Sequence, residues 1–438
     1  MTRHHELEVG LNACGVEVCP HASHRQLCAV ASYLHRPGDE DEPQSRVGEL
    51  YLYQLRPDDD DNAAAESSPR DRWTFAPCAT TRHTRAIFEL KWAPATLARG
   101  DTAGNPALAQ ADAGGFVSVY EVSPSNPDDA ADDDAAGPGS SSSFDVNEMA
   151  SVRCGGGGLG MATCVDWSPA TGDFGGEYFG SCRLAVVAAD GGARILAWRE
   201  SGDLEVVDER ECAHDLEAWA VAFAHPRSSL GSNDGGFIFT GADDAAFKGW
   251  DLRAGLDRSP PAFVNSRTHG AGVTCVAPSP HDPHVVATGS YDDKVRLWDC
   301  RRIHRPLEAC DGVDCGGGTW RLRWHPEKRA IACAAMGGGV AIVDWSGREG
   351  GGAREIDEID EANDEIDEAN EAEAEAGGVE SDVWDKWEPG SLSAAFRYGG
   401  HGSIAYGADW GWKRGGVTED VVVSCSFYDK GLHVWSPR

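Results

Sequence analysis

The stretch from Val286 to Asp299, with the sequence VATGSYDDKVRLWD, constrains the fold more than any other part of the chain. Two runs of strand-forming residues, Val286–Ser290 and Lys294–Trp298, flank a polar turn, and a Trp-Asp pair closes the second run. A His-Gly pair, His269-Gly270, stands ahead of it. Two short strands around a tight turn are too small to bury a core alone, so this stretch indicates one unit of a repeat.

Six further segments repeat the pattern: an inner strand ending near an aromatic or proline corner, a second strand, a polar turn, and a third strand ending in an aromatic residue. The seven segments run, in chain order, over Val16–Leu55, Ile87–Tyr120, Val165–Trp198, His214–Asp251, Val286–Asp299, Trp320–Asp344 and Tyr406–Trp435. Spacing supports this count, because Asp244, Asp292 and Asp429 each stand six residues before the closing Trp. The sequence therefore predicts an all-β, seven-bladed WD-repeat β-propeller, as one domain over residues 1–438.

The last blade has no room for a fourth strand, because only three residues follow Trp435. Leu7–Leu11, just ahead of the first blade, is placed to supply that strand. Such an exchange would close the ring with strands from both ends of the chain and remove an exposed edge. The alternative is that Leu7–Leu11 is a frayed end.

Three segments do not fit the repeat: residues 56–72, 123–150 and 346–395. Their richness in Asp, Glu, Ala, Ser and Pro predicts long disordered acidic loop insertions. The acidic runs within them hold 21 carboxylates, so about −13 of the formal net charge of −34 remains for the blades. In the third insertion, like charges recur at i, i+4 over Glu355–Glu375, which opposes a stable helix.

The acidic balance argues against binding of nucleic acid or of an anionic membrane surface, which both require basic patches. The 14 cysteines lie mostly in apolar, strand-like runs, as small hydrophobes of a reducing compartment do. The start of the chain lacks the apolar core of a signal peptide, and no apolar run is long enough to span a bilayer. We therefore expect a cytoplasmic protein. We also expect a monomer.

Motifs of the common enzyme classes are absent from the sequence, including Gly-x-Ser-x-Gly, His-Glu-x-x-His and the phosphate-binding glycine loops. We expect neither a metal site nor a cofactor. The turn aspartates Asp244 and Asp292 and the blade histidines His214 and His269 are more typical of hydrogen bonding within WD blades than of chemistry.

A less general feature emerges when the inner strands are aligned on their corner aromatic. Four aromatic residues hold the position four residues before it: Phe88, Trp219, Trp320 and Tyr406. Charged residues lie close to them in sequence: Glu217, Arg321 and Asp409. Inner strands of a propeller begin at one mouth of its channel, so we interpret these aromatics as a partial ring there. Ordinary packing within the blades is the alternative.

Several segments resemble one family, the WD-repeat methylesterases of diphthamide biosynthesis, or diphthine methyl ester hydrolases. The resemblance is carried by His214–Trp219, Gly241–Asp244, Gly249–Asp251, Ala287–Asp292, Trp320–Pro326, Tyr406–Trp412 and Cys425–Asp429, with Glu17–Pro20 and Leu50–Tyr53 in the first blade. The runs Tyr-Gly-Ala-Asp-Trp and Cys-Ser-Phe-Tyr-Asp are not general WD-repeat features, so the resemblance extends beyond the fold.

The resemblance implies a modified histidine of translation elongation factor 2 as the substrate. Methylated diphthine would lose one ester methyl as methanol and give diphthine, without a cofactor. A non-catalytic WD-repeat scaffold for protein assembly is the alternative. Diphthine carries a trimethylammonium group, which suits an aromatic cage. We assign the cage to Trp219, Tyr291, Trp320, Tyr406 and Tyr428.

Hydrolysis of a methyl ester requires an activated water or nucleophile, a stabilised oxyanion, and a proton for the methoxide leaving group. The candidate acids and bases are Glu217, His269 and Asp409. Arg321 is the candidate oxyanion donor. Cys425 is the candidate nucleophile, with a buried strand residue as the alternative.

Overall fold

A computed structural model of the chain describes residues 2–37, 45–57, 73–79, 82–97, 104–125, 143–155, 160–169, 182–199, 201–230, 236–301, 307–346, 391–412 and 420–437. These residues form seven antiparallel sheets, which confirms the predicted seven-bladed β-propeller. None of the described helical segments has the length and apolar character needed to cross a membrane.

In chain order, the strands of the first half are β1 (Thr2–Glu8), β2 (Asn12–Val18), β3 (Leu27–Arg36), β4 (Ser45–Pro57), β5 (Trp73–Pro77), β6 (Arg82–Arg85), β7 (Ile87–Leu97), β8 (Asn105–Asp112), β9 (Phe116–Pro124), β10 (Phe144–Arg153), β11 (Ala162–Trp167), β12 (Arg183–Ala188), β13 (Ala193–Trp198) and β14 (Leu204–Arg210). Those of the second half are β15 (Ala218–Phe223), β16 (Phe237–Ala242), β17 (Phe247–Asp251), β18 (Phe263–Asn265), β19 (Val273–Pro278), β20 (Val285–Ser290), β21 (Lys294–Asp299), β22 (Leu307–Asp314), β23 (Arg321–Trp324), β24 (Ala330–Ala334), β25 (Val340–Ser346), β26 (Ser391–Tyr398), β27 (Ala405–Gly411), β28 (Val421–Ser426) and β29 (Gly431–Ser436). A short 3-10 helix, Leu252–Ala254, follows β17.

Blades 2 to 6 are sheets of four consecutive strands, blade 1 consists of β2–β5 with β6 paired to β4, and blade 7 consists of β27, β28, β29 and β1. The first strand of each blade, which is β27 in blade 7, lines the channel. These inner strands, each of which contacts the next around the ring, are β2, β7, β11, β15, β19, β23 and β27. The apolar core lies between neighbouring blades. Val285 and Leu297 of blade 5, for example, share one buried cluster with Leu322, Ile331 and Val343 of blade 6. The blades therefore stabilise one another around the ring.

Strands from the two ends of the chain close the ring, as predicted. β1 completes the sheet of blade 7 by pairing antiparallel with β29, with Glu6 opposite His433 and Leu7 opposite Leu432. The strand lies earlier than the predicted Leu7–Leu11, because the chain leaves the sheet after Glu8, and the Val9 N–H donates to the Lys430 carbonyl. The final sheet thus has all four of its strands.

The bounds predicted for the insertions were too wide. β4 extends to Pro57, β10 occupies Phe144–Arg153 and β26 occupies Ser391–Tyr398. β10 and β26 are outermost strands with largely solvent-facing side chains, so their polar composition resembled that of a loop. The remaining parts of the predicted insertions, 58–72, 126–142 and 347–390, lie outside the described residues.

Candidate active site

A one-residue bulge near the start of the inner strand determines which side chains face the channel mouth. Pairing with the second strand shifts register by one residue in six of the seven blades. A bulge of this kind turns one side chain out of the strand alternation. The bulged residues are Cys14, Phe88, Thr163, Trp219, Thr274 and Tyr406. In blade 6, Trp320 has the same place just ahead of β23.

The small residues at this position, in blades 1, 3 and 5, are fully buried and bond to the following blade. Cys14 Sγ lies 3.1 Å from the Ile87 carbonyl. Thr163 Oγ1 donates to the Ala218 carbonyl at 2.5 Å, and Thr274 Oγ1 donates to the Thr319 carbonyl. Each acceptor directly precedes the aromatic residue of the next blade. The small residues therefore anchor the backbone that positions Phe88, Trp219 and Trp320.

The aromatic residues of the mouth form a continuous set of ring contacts, which we call the aromatic basin. It comprises Tyr33, Phe88, Trp219, Tyr291, Trp320, Tyr406, Phe427 and Tyr428. Trp320 is central, with ring-centroid distances of 5.6 Å to Trp219, 6.0 Å to Tyr291 and 5.3 Å to Tyr406.

The ring contacts continue from Tyr406 to the opposite side of the mouth. Phe427 lies 5.0 Å from Tyr406 and 5.1 Å from Tyr428, and Tyr33 lies 4.8 Å from Phe427 and 5.7 Å from Phe88. All five residues predicted for the cage, Trp219, Tyr291, Trp320, Tyr406 and Tyr428, thus belong to this one surface.

Two glycines make room for Tyr291. A Cβ atom at Gly318 would lie 3.1 Å from Tyr291 Cδ1, and one at Gly272 would lie 3.3 Å from Tyr291 Cδ2. The phenol ring therefore fits between the backbones of blades 5 and 6. A Cβ atom added at Gly272 would also lie 2.5 Å from Asp243 Oδ1. The absence of a side chain at this position therefore leaves space for the Asp243 carboxylate beside the Tyr291 ring.

Two carboxylates stand on the blade 4 side of the basin. Glu217 precedes β15, and its carbonyl accepts the Asp243 N–H at 2.9 Å. Burial raises the pKa of Asp243; the Trp219 indole opposes this effect, and the charge of nearby Glu217 adds to it. Of the five predicted catalytic candidates, Glu217 is the one whose charge acts on Asp243.

Arg321 lies beneath the basin, where its guanidinium is already engaged. Its Nη2 atom is 2.9 Å from Glu89 Oε2 and donates to the Phe88 carbonyl at 2.8 Å. Its Nη1 atom donates to the Trp320 carbonyl, and its Cζ lies 5.2 Å from the Trp320 ring centroid. Arg321 therefore supports the floor of the basin, and a role as oxyanion donor would require breaking a buried ion pair.

Asp409 lies deeper in the channel, three residues beyond Tyr406 in β27. Its carboxylate accepts the Val18 N–H at 2.7 Å and the Trp410 N–H at 2.8 Å. Burial raises its pKa, against the opposing charge of Arg323. Glu17 in β2 makes the equivalent bond to the Trp92 N–H at 2.6 Å. These acids join neighbouring blades.

Side chains largely fill the channel at this depth. Arg323 lies 3.5 Å from both Glu17 and Glu89, and Lys91 lies 3.7 Å from Asp166. A cavity of about 30 Å³ remains between Arg321, Arg323, Lys91 and the inner strands of blades 3 to 5. This volume holds about one water molecule, so a substrate meets the mouth rather than the channel.

His269 belongs to the hydrogen bonding within blade 5 and not to the mouth. Its Nε2 atom lies 2.9 Å from Thr288 Oγ1, which accepts the Trp298 indole N–H at 2.8 Å. Burial lowers its pKa to about 4, so the ring is neutral near pH 7. His214 in blade 4 is bonded in the same way and adds Asp244 at 3.0 Å. His269 is therefore a structural residue of blade 5.

Cys425 is a fully buried strand residue. It lies in β28, opposite Gly407, where an added Cβ would come within 2.9 Å of its Sγ. Burial raises the pKa of the thiol to about 12, which opposes formation of a nucleophilic thiolate. The structure thus favours the alternative interpretation of Cys425, a buried strand residue rather than a nucleophile.

Sequence reasoning missed several residues of the mouth: Tyr33, Arg46, Asp243 and Phe427. Asp243 and Phe427 lie within the motifs that carried the family resemblance, and the signal that could have found them is adjacency to Asp244 and Tyr428. Tyr33 and Arg46 gave no such signal. They reach the mouth through the hairpin of β3 and β4, whose pairing continues to Arg36 opposite Ser45.

Comparison with known proteins gives the same fold. A family model for the WD domain, G-beta repeat, matches residues 263–299, which include the first three strands of blade 5, β19, β20 and β21. A chain of the solved mitotic checkpoint complex aligns with a TM-score of 0.54 at 14% identity, covering 100% of this chain and 92% of that one. This likeness concerns the fold alone.

Several relatives carry names that refer to diphthine. Diphthine methyltransferase of Homo sapiens is 29% identical over 77% of this chain and 67% of its own length. The Mus musculus protein of that name is 28% identical over 77% and 62%. A Dictyostelium discoideum diphthine methyltransferase homolog is 28% identical over 58% and 59%. The matched part thus spans about three fifths to two thirds of these relatives. The chain is a seven-bladed WD-repeat propeller homologous to proteins named diphthine methyltransferase, which confirms the resemblance that the sequence motifs indicated.

Proposed function

We propose that this protein acts in diphthamide biosynthesis and hydrolyses the methyl ester of methylated diphthine on elongation factor 2. The products are diphthine and methanol. The enzyme would act in the cytoplasm as a monomer and without a cofactor. The names of the relatives support the pathway, and the chemistry of the basin supports the substrate.

The observation that carries the proposal is the aromatic basin with its adjacent carboxylates. A trimethylammonium group cannot donate a hydrogen bond, so it is best held by aromatic ring faces and a nearby negative charge. Trp219, Trp320 and Tyr291 supply the rings, and Asp243 supplies the charge. The exposed fraction of Tyr428 is 72%, which leaves the basin open to a loop of a protein substrate.

The reaction needs few groups at this mouth. Water attacks the ester carbonyl carbon while Glu217 accepts a proton from it. The phenol of Tyr406, whose pKa is raised by burial, remains protonated and donates to the oxyanion. The carbon–oxygen bond to the methoxy group then breaks, and the proton held by the carboxylate passes to methoxide. Methanol leaves, and the new carboxylic acid loses its proton to solvent.

The name of these relatives denotes methyl transfer, whereas we propose transfer of the acyl group to water. The two reactions are separated by incubating the protein with elongation factor 2 that bears methylated diphthine, in water enriched in oxygen-18. Hydrolysis predicts loss of one methyl group by mass spectrometry and one heavy oxygen in the resulting carboxylate. A methyl group gained by unmethylated substrate in the presence of a methyl donor would contradict hydrolysis.

The controls address the alternative of a non-catalytic scaffold. Trp219→Ala and Trp320→Ala should lose turnover, while Trp412→Ala, at the far end of β27, should retain it. Binding of elongation factor 2 without any loss of methyl by the wild-type protein would favour the scaffold.

A further inference from the structure

The charges at the aromatic basin are separated, with carboxylates on one side and an arginine on the other. Arg46 begins β4, in the hairpin that extends from blade 1 over the mouth, where it pairs with His35. Its Nη1 atom contacts Met161 Sδ, at the entry to the inner strand of blade 3. Its charge also lowers the pKa of Tyr33, although burial has the larger, opposite effect. The guanidinium therefore lies beside Tyr33, at the edge of the basin.

Arg46 differs from the neighbouring arginines in its partners. Arg82 pairs with Glu148 at 3.0 Å, and Arg85 pairs with Asp112 at 2.7 Å. Within the part of the chain that the structure describes, no carboxylate pairs with Arg46. A thioether sulfur is only a weak acceptor, so among the described residues this guanidinium has no strong acceptor and can bond to a ligand.

The acidic side of the basin is built into the fold. The Asp243 carboxylate sits beside Trp219 and Tyr291 in the space left by Gly272, with Glu217 next to it. A cation that rests on the Trp219 ring would meet this negative charge. The acidic side belongs to blade 4, and the Arg46 guanidinium reaches Met161 just ahead of β11, the inner strand that contacts β15 of blade 4.

We infer that the basin binds a zwitterion, with a methylated ammonium on the Asp243 side and a carboxyl group on the Arg46 side. For the identity of the natural ligand the inference rests on the proposed function. There, the carboxyl group is the ester of the substrate and the carboxylate of the product. Arg46 hydrogen-bonds the ester carbonyl, and it binds the product carboxylate more strongly because that bond is charge-assisted. Arg46 therefore affects the rate of product release as well as the orientation of the ester substrate.

The experiment uses three small probes and requires no turnover. Tetramethylammonium has the cation alone, glycine betaine adds a carboxylate, and betaine methyl ester carries the ester in its place. Binding to the full chain is measured by titration calorimetry, with quenching of tryptophan fluorescence as a second readout. The wild-type protein should bind glycine betaine more tightly than tetramethylammonium. A hydrogen bond to a charged group is worth about 1.5–3 kcal/mol, which corresponds to a roughly tenfold or larger difference.

Substitutions distinguish the contributions of the two sides of the basin to probe binding. Arg46→Gln should abolish the preference for glycine betaine and leave tetramethylammonium binding unchanged. Asp243→Asn should weaken all three probes. Arg36→Gln, an exposed residue at the tip of the same hairpin, is the matched control and should behave as wild type.

Three outcomes would overturn the inference: no saturable binding of any probe, equal affinity of the wild-type protein for glycine betaine and tetramethylammonium, or equal weakening of both by Arg46→Gln. Failure of the proposed reaction is distinguishable from these outcomes. Elongation factor 2 could fail to be demethylated while the wild-type protein still prefers glycine betaine and Arg46→Gln loses that preference. This result would support the zwitterion site and contradict the proposed ester hydrolysis.

Discussion

The indole rings of Trp219 and Trp320 have centroids 5.6 Å apart, although they come from blades 4 and 6 and blade 5 lies between them. The contact is possible because blade 5 places Thr274, a small and fully buried residue, at the equivalent position. The Thr274 hydroxyl bonds to the Thr319 carbonyl, directly ahead of Trp320. The two indoles can therefore meet above this threonine.

Removal of either indole should weaken binding of a quaternary ammonium ion without unfolding the protein. A cation–π contact contributes about 0.5–2 kcal/mol, so Trp219→Ala and Trp320→Ala should each raise the dissociation constant of tetramethylammonium roughly 2- to 30-fold. Circular dichroism reports the fold, and calorimetry reports affinity. An unchanged affinity in both variants would exclude the indoles from the site.

Thr274→Ala should destabilise the propeller, because the buried Thr319 carbonyl would lose its side-chain donor. The expected loss in the free energy of unfolding is about 1 kcal/mol, measured by urea denaturation. Thr274→Ser keeps the hydroxyl and serves as the matched control. A serine variant that is as unstable as the alanine variant would show that the methyl group matters rather than the hydrogen bond.

His269→Gln should lower stability and leave catalysis intact. The substitution disturbs the bond to Thr288, which also accepts from Trp298, at an expected cost of about 1–2 kcal/mol. Thermal unfolding measures the first effect, and kcat/KM per folded molecule measures the second. A lower kcat/KM under conditions in which the variant is fully folded would show that His269 takes part in catalysis.

Cys425→Ala should retain turnover, because a fully buried thiol with a pKa of about 12 supplies little thiolate near pH 7. The measurement is the single-turnover rate on methylated substrate. An electrophile that traps a covalent adduct at Cys425 in the native protein, together with an inactive alanine variant, would contradict this expectation.

Glu17 should make the stability of the wild-type protein fall as pH rises. Burial raises its pKa from 4.5 to about 7, while Arg323 and Lys91 oppose the shift and Asp409 and Glu89 add to it. The folded protein therefore holds this proton more tightly than the unfolded chain does. The corresponding stability is fully present below about pH 4.5 and is lost as pH rises through about 7.

Glu17→Gln keeps a side-chain oxygen for the Trp92 N–H but has no proton to lose. The free energy of unfolding of the variant, relative to wild type, should therefore increase between pH 4.5 and 7, by at most about 3 kcal/mol. Urea denaturation at several pH values measures the difference. Parallel pH profiles for the two proteins would show that Glu17 ionises normally in the folded state.

Repetition explains why the fold could be predicted from the sequence. The six-residue interval from Asp244 to Trp250 recurs in blades 5 and 7, and each copy supports the others. The placement of aromatic residues together at the mouth was predictable for the same reason, because Trp219, Trp320 and Tyr406 occupy one position of that repeat. Residues outside the repeat, such as Tyr33 and Arg46, depend on how a single hairpin folds over the mouth, which no internal copy reveals.

The roles assigned to individual polar residues were harder to predict, because sequence distance does not give depth in the channel. Asp409 and Tyr406 are three residues apart, which in a strand is about 10 Å. The tyrosine is therefore at the mouth, and the aspartate lies among the buried ion pairs. Arg321 and Trp320 are adjacent, yet the indole faces the basin and the guanidinium faces Glu89.

The register shift near the start of the inner strands places two groups of residues under different structural requirements. Residues that follow the strand alternation must fit the neighbouring blade, so a change there disturbs the scaffold. The single residue displaced by each bulge does not need to fit the neighbouring blade where it is large and faces the mouth. We expect that exchanging Phe88, Trp219, Trp320 and Tyr406 would change which ligand the mouth accepts without changing the propeller, so these positions are suited to the redesign of specificity.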